Sequence, residues 1–206
     1  MRNVFKLVNA ALALVIILSA CGGPSHDLTG DAGFEWAAFD DTDLRVLMGE
    51  EGCTTVRFYN VLRKEGDTEG SVMAVAVDAL GREIGGGASG MPYRIYDKVV
   101  DRLTETIDTE RTGAVKASQW LRDAGHKAFA AELGVKALVV LLRNKECNGI
   151  RITPSTLSDG SLTMRFTAAK LGSGSCEELP AVPGSVVVCG EPCPAYCSED
   201  VEYVHM

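Results

Sequence analysis

Cys53-Thr54-Thr55-Val56-Arg57-Phe58 returns, 94 residues on, as Cys147-Asn148-Gly149-Ile150-Arg151-Ile152. Both runs read cysteine, two residues, a β-branched residue, arginine and an apolar residue. The match continues outward. Met73-Ala74-Val75-Ala76-Val77-Asp78-Ala79-Leu80-Gly81 aligns with Met164-Arg165-Phe166-Thr167-Ala168-Ala169-Lys170-Leu171-Gly172 at an offset of 91, so three residues are lost in the turn between the blocks. Upstream, Ala38-Phe39 and Ala128-Phe129 each precede an apolar stretch that ends just before the cysteine. Three matches in one order predict an internal duplication.

Each copy carries the same local signals. Asp43 to Met48 and Val135 to Leu142 have the apolar content of short buried helices. Polar turns follow at Gly49 to Gly52 and at Asn144 to Glu146. Thr54 to Val61 and Gly149 to Thr153 then alternate as strands do. Gly66-Asp67 and Asp159-Gly160 are turn signals, with returning strands at Val72 to Val77 and Leu162 to Ala168. Between the copies, Pro92 stands where the first turn of a helix tolerates proline, which predicts a helix over Tyr93 to Thr106. A second helix is expected over Ala114 to Ala124, turning Val115, Trp120 and Leu121 to a core. The predicted fold class is α+β: two helix–helix–β-hairpin copies with approximate two-fold symmetry, a helical connector and an irregular cysteine-rich tail. The corresponding segments are repeat 1 at 28–90, the connector at 91–111, repeat 2 at 112–175 and the tail at 176–206.

The first 27 residues read differently. Arg2 and Lys6 precede a nearly unbroken apolar run from Leu7 to Ala20. That run falls short of the roughly 20 residues a membrane-crossing helix needs, and fits the apolar part of a secretory signal better. It ends in Leu18-Ser19-Ala20-Cys21, which resembles the lipobox of bacterial lipoprotein signal peptides. The resemblance implies a signal peptide over 1–20, cleavage before Cys21 and lipidation of that thiol. Acyl chains add about 0.8 kcal/mol per buried methylene, so two or more hold firmly. Residues 21–27, beginning Cys21-Gly22-Gly23-Pro24, form a tether. With Gly22 rather than aspartate after the cysteine, the resemblance implies an outer membrane where the cell has one, and otherwise the cell membrane.

The formal net charge of the chain is −8; loss of residues 1–20 removes Arg2 and Lys6 and leaves 18 basic against 28 acidic side chains, or −10. Nucleic-acid phosphates require a basic face, so a nucleic-acid partner is not expected. The expected partners are the membrane, through the lipid, and a protein of the envelope. No motif fixes an oligomeric state.

Several of these motifs together resemble a group of uncharacterised Bacteroidota lipoproteins. They are Cys53-x-x-x-Arg57-Phe58-Tyr59, Val75-Ala76-Val77-Asp78-x-x-Gly81, Ala117-x-x-Trp120, Lys127-Ala128-Phe129 and the second cysteine–arginine run. The tail Cys193-Pro194-Ala195-Tyr196-Cys197 is similar to the cysteine–proline endings of that group, with Ala195 where a second proline is usual. The likeness spans about two thirds of the chain, implies a cell-envelope location and carries no activity with it.

Six cysteines besides Cys21 are disulfide candidates in an exported chain: Cys53, Cys147, Cys176, Cys189, Cys193 and Cys197; Cys53 and Cys147, at matching places in the two copies, read alternatively as buried small apolar residues. The Cys-x3-Cys spacings of the tail lack the Cys-x2-Cys knuckles of structural zinc, so no metal is expected. Gly85-Gly86-Gly87-Ala88-Ser89-Gly90 satisfies G-x-G-x-x-G, but no parallel βαβ unit surrounds it; a connector is expected, and no cofactor. Asp40, Asp41 and Asp43 stand at a helix start, where acidic caps belong. Arg57 and Arg151 occupy matching strand positions and are candidates either for anion binding or for pairing with a carboxylate across the ladder. No nucleophile elbow or zinc helix appears, so no catalytic residue is assigned. The expected function is a non-catalytic binding or structural module on a lipid anchor. Its alternatives are a hydrolase using Cys147 or Cys53 with His126, and a small-molecule binding protein with an apolar pocket between the copies.

Overall fold

A computed structural model describes residues 28–100, 103–180, 188–189 and 191–193. In chain order the elements are α1 (Thr29–Ala32), β1 (Ala37–Asp40), α2 (Asp41–Met48), β2 (Cys53–Val61), β3 (Ser71–Asp78), β4 (Glu83–Ile84), β5 (Tyr93–Val100) and β6 (Leu103–Thr109). Then follow α3 (Arg111–Asp123), β7 (Ala130–Gly134), α4 (Val135–Leu141), β8 (Gly149–Thr156), β9 (Leu162–Gly172), β10 (Ser175–Glu178), β11 (Val188–Cys189) and β12 (Glu191–Cys193). The described residues therefore make a mixed α/β fold with two antiparallel sheets.

The first sheet runs β1-β8-β9-β10, with β11 also on β9; the second runs β12-β7-β2-β3-β5-β6, with β4 on β3. Neighbours in sequence are not always neighbours in a sheet. β1 pairs with β8, placing Phe39 opposite Ile150, and β7 pairs with β2, placing Leu133 opposite Val56. The hairpins β2–β3 and β8–β9 each stay together, one in each sheet. Gly66 and Gly160 sit in their turns with φ of 80° and 85°, a left-handed backbone that favours glycine.

Alternation decides which face each strand residue takes. On β2, Val56 and Phe58 turn to the core between the sheets, together with Phe39, Ile150, Ile152 and Phe166. Phe58 lies 5.8 Å from Phe39 and 4.9 Å from Phe166, ring centre to ring centre, so one aromatic from the second sheet is gripped by two from the first. Leu44 and Leu47 of α2, with Leu138 and Leu141 of α4, fill the same core. The other face of the second sheet carries Tyr59, Met73, Val75, Val77, Tyr93 and Ile95, and α3 covers it with Ala114 and Ala117. β3 is buried on both faces, which explains its continuous apolar run.

Two expectations are corrected. The helical connector is absent: Tyr93 to Thr109 forms the hairpin β5–β6, joined to the sheet through Met73–Ile95. Pro92 opens a strand instead of a helix, a position it also tolerates because it precedes the ladder. The β-branched and aromatic residues that follow favour the extended chain. The tail is not wholly irregular: β10 and β11 extend the first sheet along β9, and β12 extends the second along β7. Helices expected at 43–48, 114–124 and 135–142 stand as α2, α3 and α4. α2 starts two residues early because Asp40 caps it, its Oδ1 accepting from the Asp43 amide at 2.8 Å.

Candidate functional site

Arg57 and Tyr59 are two residues apart on β2, so both point to the face that α3 covers. α3 begins at Arg111 and leaves the end of that face open. Arg57 is 1% exposed there, a burial a guanidinium tolerates only when its hydrogens are matched. They are. Nε and Nη2 meet Glu132 Oε1 at 2.7 and 2.5 Å; Nη1 meets Tyr59 Oη and Glu83 Oε1, both at 3.3 Å; Nη2 also donates to the Gly81 carbonyl at 3.1 Å. Glu132 stands directly across the ladder from Arg57. Glu83 is set by β4 opposite Val77, and accepts from Tyr59 and, at 2.8 Å, from Tyr93 Oη.

Burial works against the charge on Arg57, but Tyr59 and Glu132 outweigh it and hold the guanidinium above its ordinary value. Burial and the neighbouring Glu83 push the Tyr59 phenol well up, so it stays a hydrogen-bond donor. The turn before β4 is stapled by Asp78, which accepts from the Leu80 and Arg82 amides and pairs with the Arg82 guanidinium at 2.7 Å. Those bonds to Arg82 hold the Asp78 carboxyl below its usual range.

Above this network lies a half-open cleft of about 380 Å³, lined by Arg57, Gly81, Arg82, Glu83, Pro92, Tyr93 and Arg111. The glycine run leads into Pro92 of its lining. Gly86 has φ 80°, and a Cβ there would lie 2.8 Å from the Pro92 nitrogen, so the loop returns on itself at that point. No βαβ unit surrounds it among the described residues.

Other candidate residues lie elsewhere. Arg151, on β8 of the first sheet, does not meet Arg57; its guanidinium carbon lies 5.5 Å over the Trp36 ring. His126 contacts the Gly30 carbonyl at 2.9 Å and packs on Gly33. Cys53 and Cys147 each direct the thiol to the carbonyl two residues on, Thr55 at 3.3 Å and Gly149 at 2.9 Å. Both, and Cys176, stand as free thiols in the structure. Burial raises all three, Cys176 to about 11, which is the reverse of an activated thiolate. Cys189 and Cys193 fall on β11 and β12, whose side chains lie outside the description, as do Cys21 and Cys197 entirely.

Asp43 completes a second buried cluster. Its carboxyl is raised by burial and by Asp40, against the pull of Arg94 and the Thr106 hydroxyl at 3.1 Å. Glu83, Tyr93, Glu132, Arg82 and Arg111 have no sequence motif to mark them. The one available signal was Arg57-x-Tyr59, a polar pair on one face of a strand that is otherwise apolar.

Among the described residues, no three His, Cys, Asp or Glu side chains are grouped to hold a metal ion. No helix among them is long and apolar enough to cross a membrane. Comparison with known protein families, curated proteins and solved structures returns no match.

Proposed function

We propose that this chain is an exported lipoprotein of the cell envelope, anchored through acyl chains on Cys21, whose folded body is a non-catalytic binding module. The carrying observation is the N-terminal pattern, Arg2 and Lys6, then Leu7 to Ala20, then Leu18-Ser19-Ala20-Cys21. The motif likeness to Bacteroidota lipoproteins points the same way. The body begins at Leu28, seven residues beyond Cys21, and a chain of that length spans at most about 25 Å. The body is thus kept close to the bilayer, with α1 nearest the anchor in sequence.

The body is best understood as two β-α-β-β copies that have exchanged their first strands. β1, α2, β2 and β3 correspond to β7, α4, β8 and β9. A shift of 94 residues carries the pairing Phe39–Ile150 onto Leu133–Val56, and Asp40–Gly149 onto Gly134–Thr55. The shared thiol-to-carbonyl bonds of Cys53 and Cys147 support the same relation. For the returning strands the ladder favours an offset of 92 over 91: Asn60–Val72 corresponds to Pro154–Met164. Val72 and Met164 then share the inner core, whereas Met73 faces α3. A one-residue slip would reverse every face.

In the binding surface, the cleft at the start of α3, the buried polar groups are matched with each other. The half-buried thiols have no histidine beside them. Both features favour a receptor over a catalyst. The test is metabolic labelling of the full chain with an alkyne fatty acid in its bacterial host, against Cys21→Ser. Label on the wild type that is lost in the variant is expected; an unlabelled wild type sinks the anchor.

A further inference from the structure

Resting on the binding-module reading, and deepening it, we infer that the cleft at the first turn of α3 takes a small organic anion. Its ligand would carry one carboxylate or phosphate group on an apolar body. The mature chain has ten more acidic than basic side chains, yet three of the seven cleft-lining residues are arginines against one glutamate. Each arginine has a distinct position. Arg57 is locked into the floor by Glu132 and Glu83 and keeps Glu83 and the Tyr93 phenol in place. Arg82 stands on the rim, its side chain 62% exposed, with Asp78 pairing one side of its guanidinium. Arg111 is the first residue of α3 and is exposed.

The start of α3 runs against the usual pattern. Its first turn contains Arg111 and no acidic residue, and the N-cap Glu110 makes no side-chain cap. Backbone amides at a helix start favour negative charge, and a cation there is disfavoured. An anion in the cleft would complement the amide end, and the geometry of the arginine forks beside it suits carboxylate and phosphate alike. The rest of the lining includes two apolar surfaces, Pro92 and the Tyr93 ring. A volume of about 380 Å³ exceeds what a bare phosphate fills and lies in the range of small-molecule sites.

Phenyl phosphate, benzoate and inorganic phosphate are the probes, titrated by calorimetry into the full-length mature protein in detergent micelles, with the acylation of Cys21 read from the same preparation by mass. Expected are one-to-one binding of the two aromatic anions and a response at least about tenfold weaker for inorganic phosphate, which leaves these apolar surfaces uncovered. R82A/R111A should weaken aromatic-anion binding at least about tenfold. Lys116→Ala, exposed on α3 outside the cleft, should leave it unchanged. Arg111→Glu alone should weaken binding too, and covers the case in which the double variant is poorly folded. Absence of saturable binding by every probe overturns the inference, as does binding indifferent to both arginine variants. Inorganic phosphate matching phenyl phosphate overturns the organic-anion assignment. An acylated chain that binds no probe loses only this inference. An unacylated chain that binds loses only the anchor.

Discussion

Replacing Arg57 by Met removes a charge that two nearly buried carboxylates depend on. Glu132 and Glu83 are 18% and 14% exposed, and Arg57 is the cation in direct contact with both. Methionine keeps most of the stem's volume, so the loss is electrostatic rather than one of packing. Removing one partner of a buried ion pair costs about 3–5 kcal/mol, and the residual water access of the two carboxylates places this case near about 3. For a body of this size that lowers the melting temperature by about 6–12 °C. The assay is circular dichroism with heat and with urea, where the midpoint should fall and the m-value hold. A second variant sharpens it. Arg57→Met with Glu132→Leu takes away the charge left behind, while Glu83 keeps the Tyr59 and Tyr93 hydroxyls. The pair should recover at least about 1 kcal/mol of the single-variant loss. A single variant as stable as wild type, or a double variant whose losses simply add, would show that the network stabilises nothing.

Further outcomes are expected. Gly149→Ala should destabilise by about 1–3 kcal/mol, because the new Cβ would stand 2.5 Å from the Phe39 carbonyl and from Leu171 Cδ1; Thr55→Ala should be nearly neutral in the same urea titration. In the folded protein at pH 8, Cys176 should react with iodoacetamide roughly two orders of magnitude more slowly than a cysteine peptide, read peptide by peptide by mass. Its thiol is raised to about 11, so the native state holds that proton where the unfolded chain has lost it, and stability should fall as the pH rises from 9 toward 11. Asp43 is raised above 3.8 as well, so its contribution is full below that pH and is lost as the pH rises through its folded value. The urea midpoint of wild type minus that of Asp43→Asn should therefore decline upward from pH 3.8, and a rising difference would contradict the burial of this carboxyl.

The hairpins were legible because their signals are local. Cys53 to Val61 and Leu162 onward alternate, and glycine marks each turn. The capped helices were legible for the same reason, with Asp40 and Asp43 announcing α2. What escaped depended on partners far along the chain. β1 is four residues, Ala37 to Asp40, and becomes a strand only because β8 receives it. β7 likewise depends on β2. The misread hairpin β5–β6 is a different case: Pro92 outweighed Tyr93, Ile95, Thr106 and Ile107, whose β-branched and aromatic character favours strands. At the site, Arg57 was visible as a motif residue and its pairing across the ladder was among the expectations. Glu132 and Glu83 were not identifiable, since strand register and a two-residue edge strand bring them there. The disulfide expectation came from compartment alone; Cys53, Cys147 and Cys176 are half-buried free thiols in the structure.

The most direct test of the central claim is the mass of the N-terminal fragment of the protein purified from membranes of the cells that produce it. The anchored-lipoprotein proposal predicts a chain beginning at Cys21 that carries a diacylglycerol on the thiol. A chain that retains Met1, or that begins at an unmodified Cys21, would contradict it.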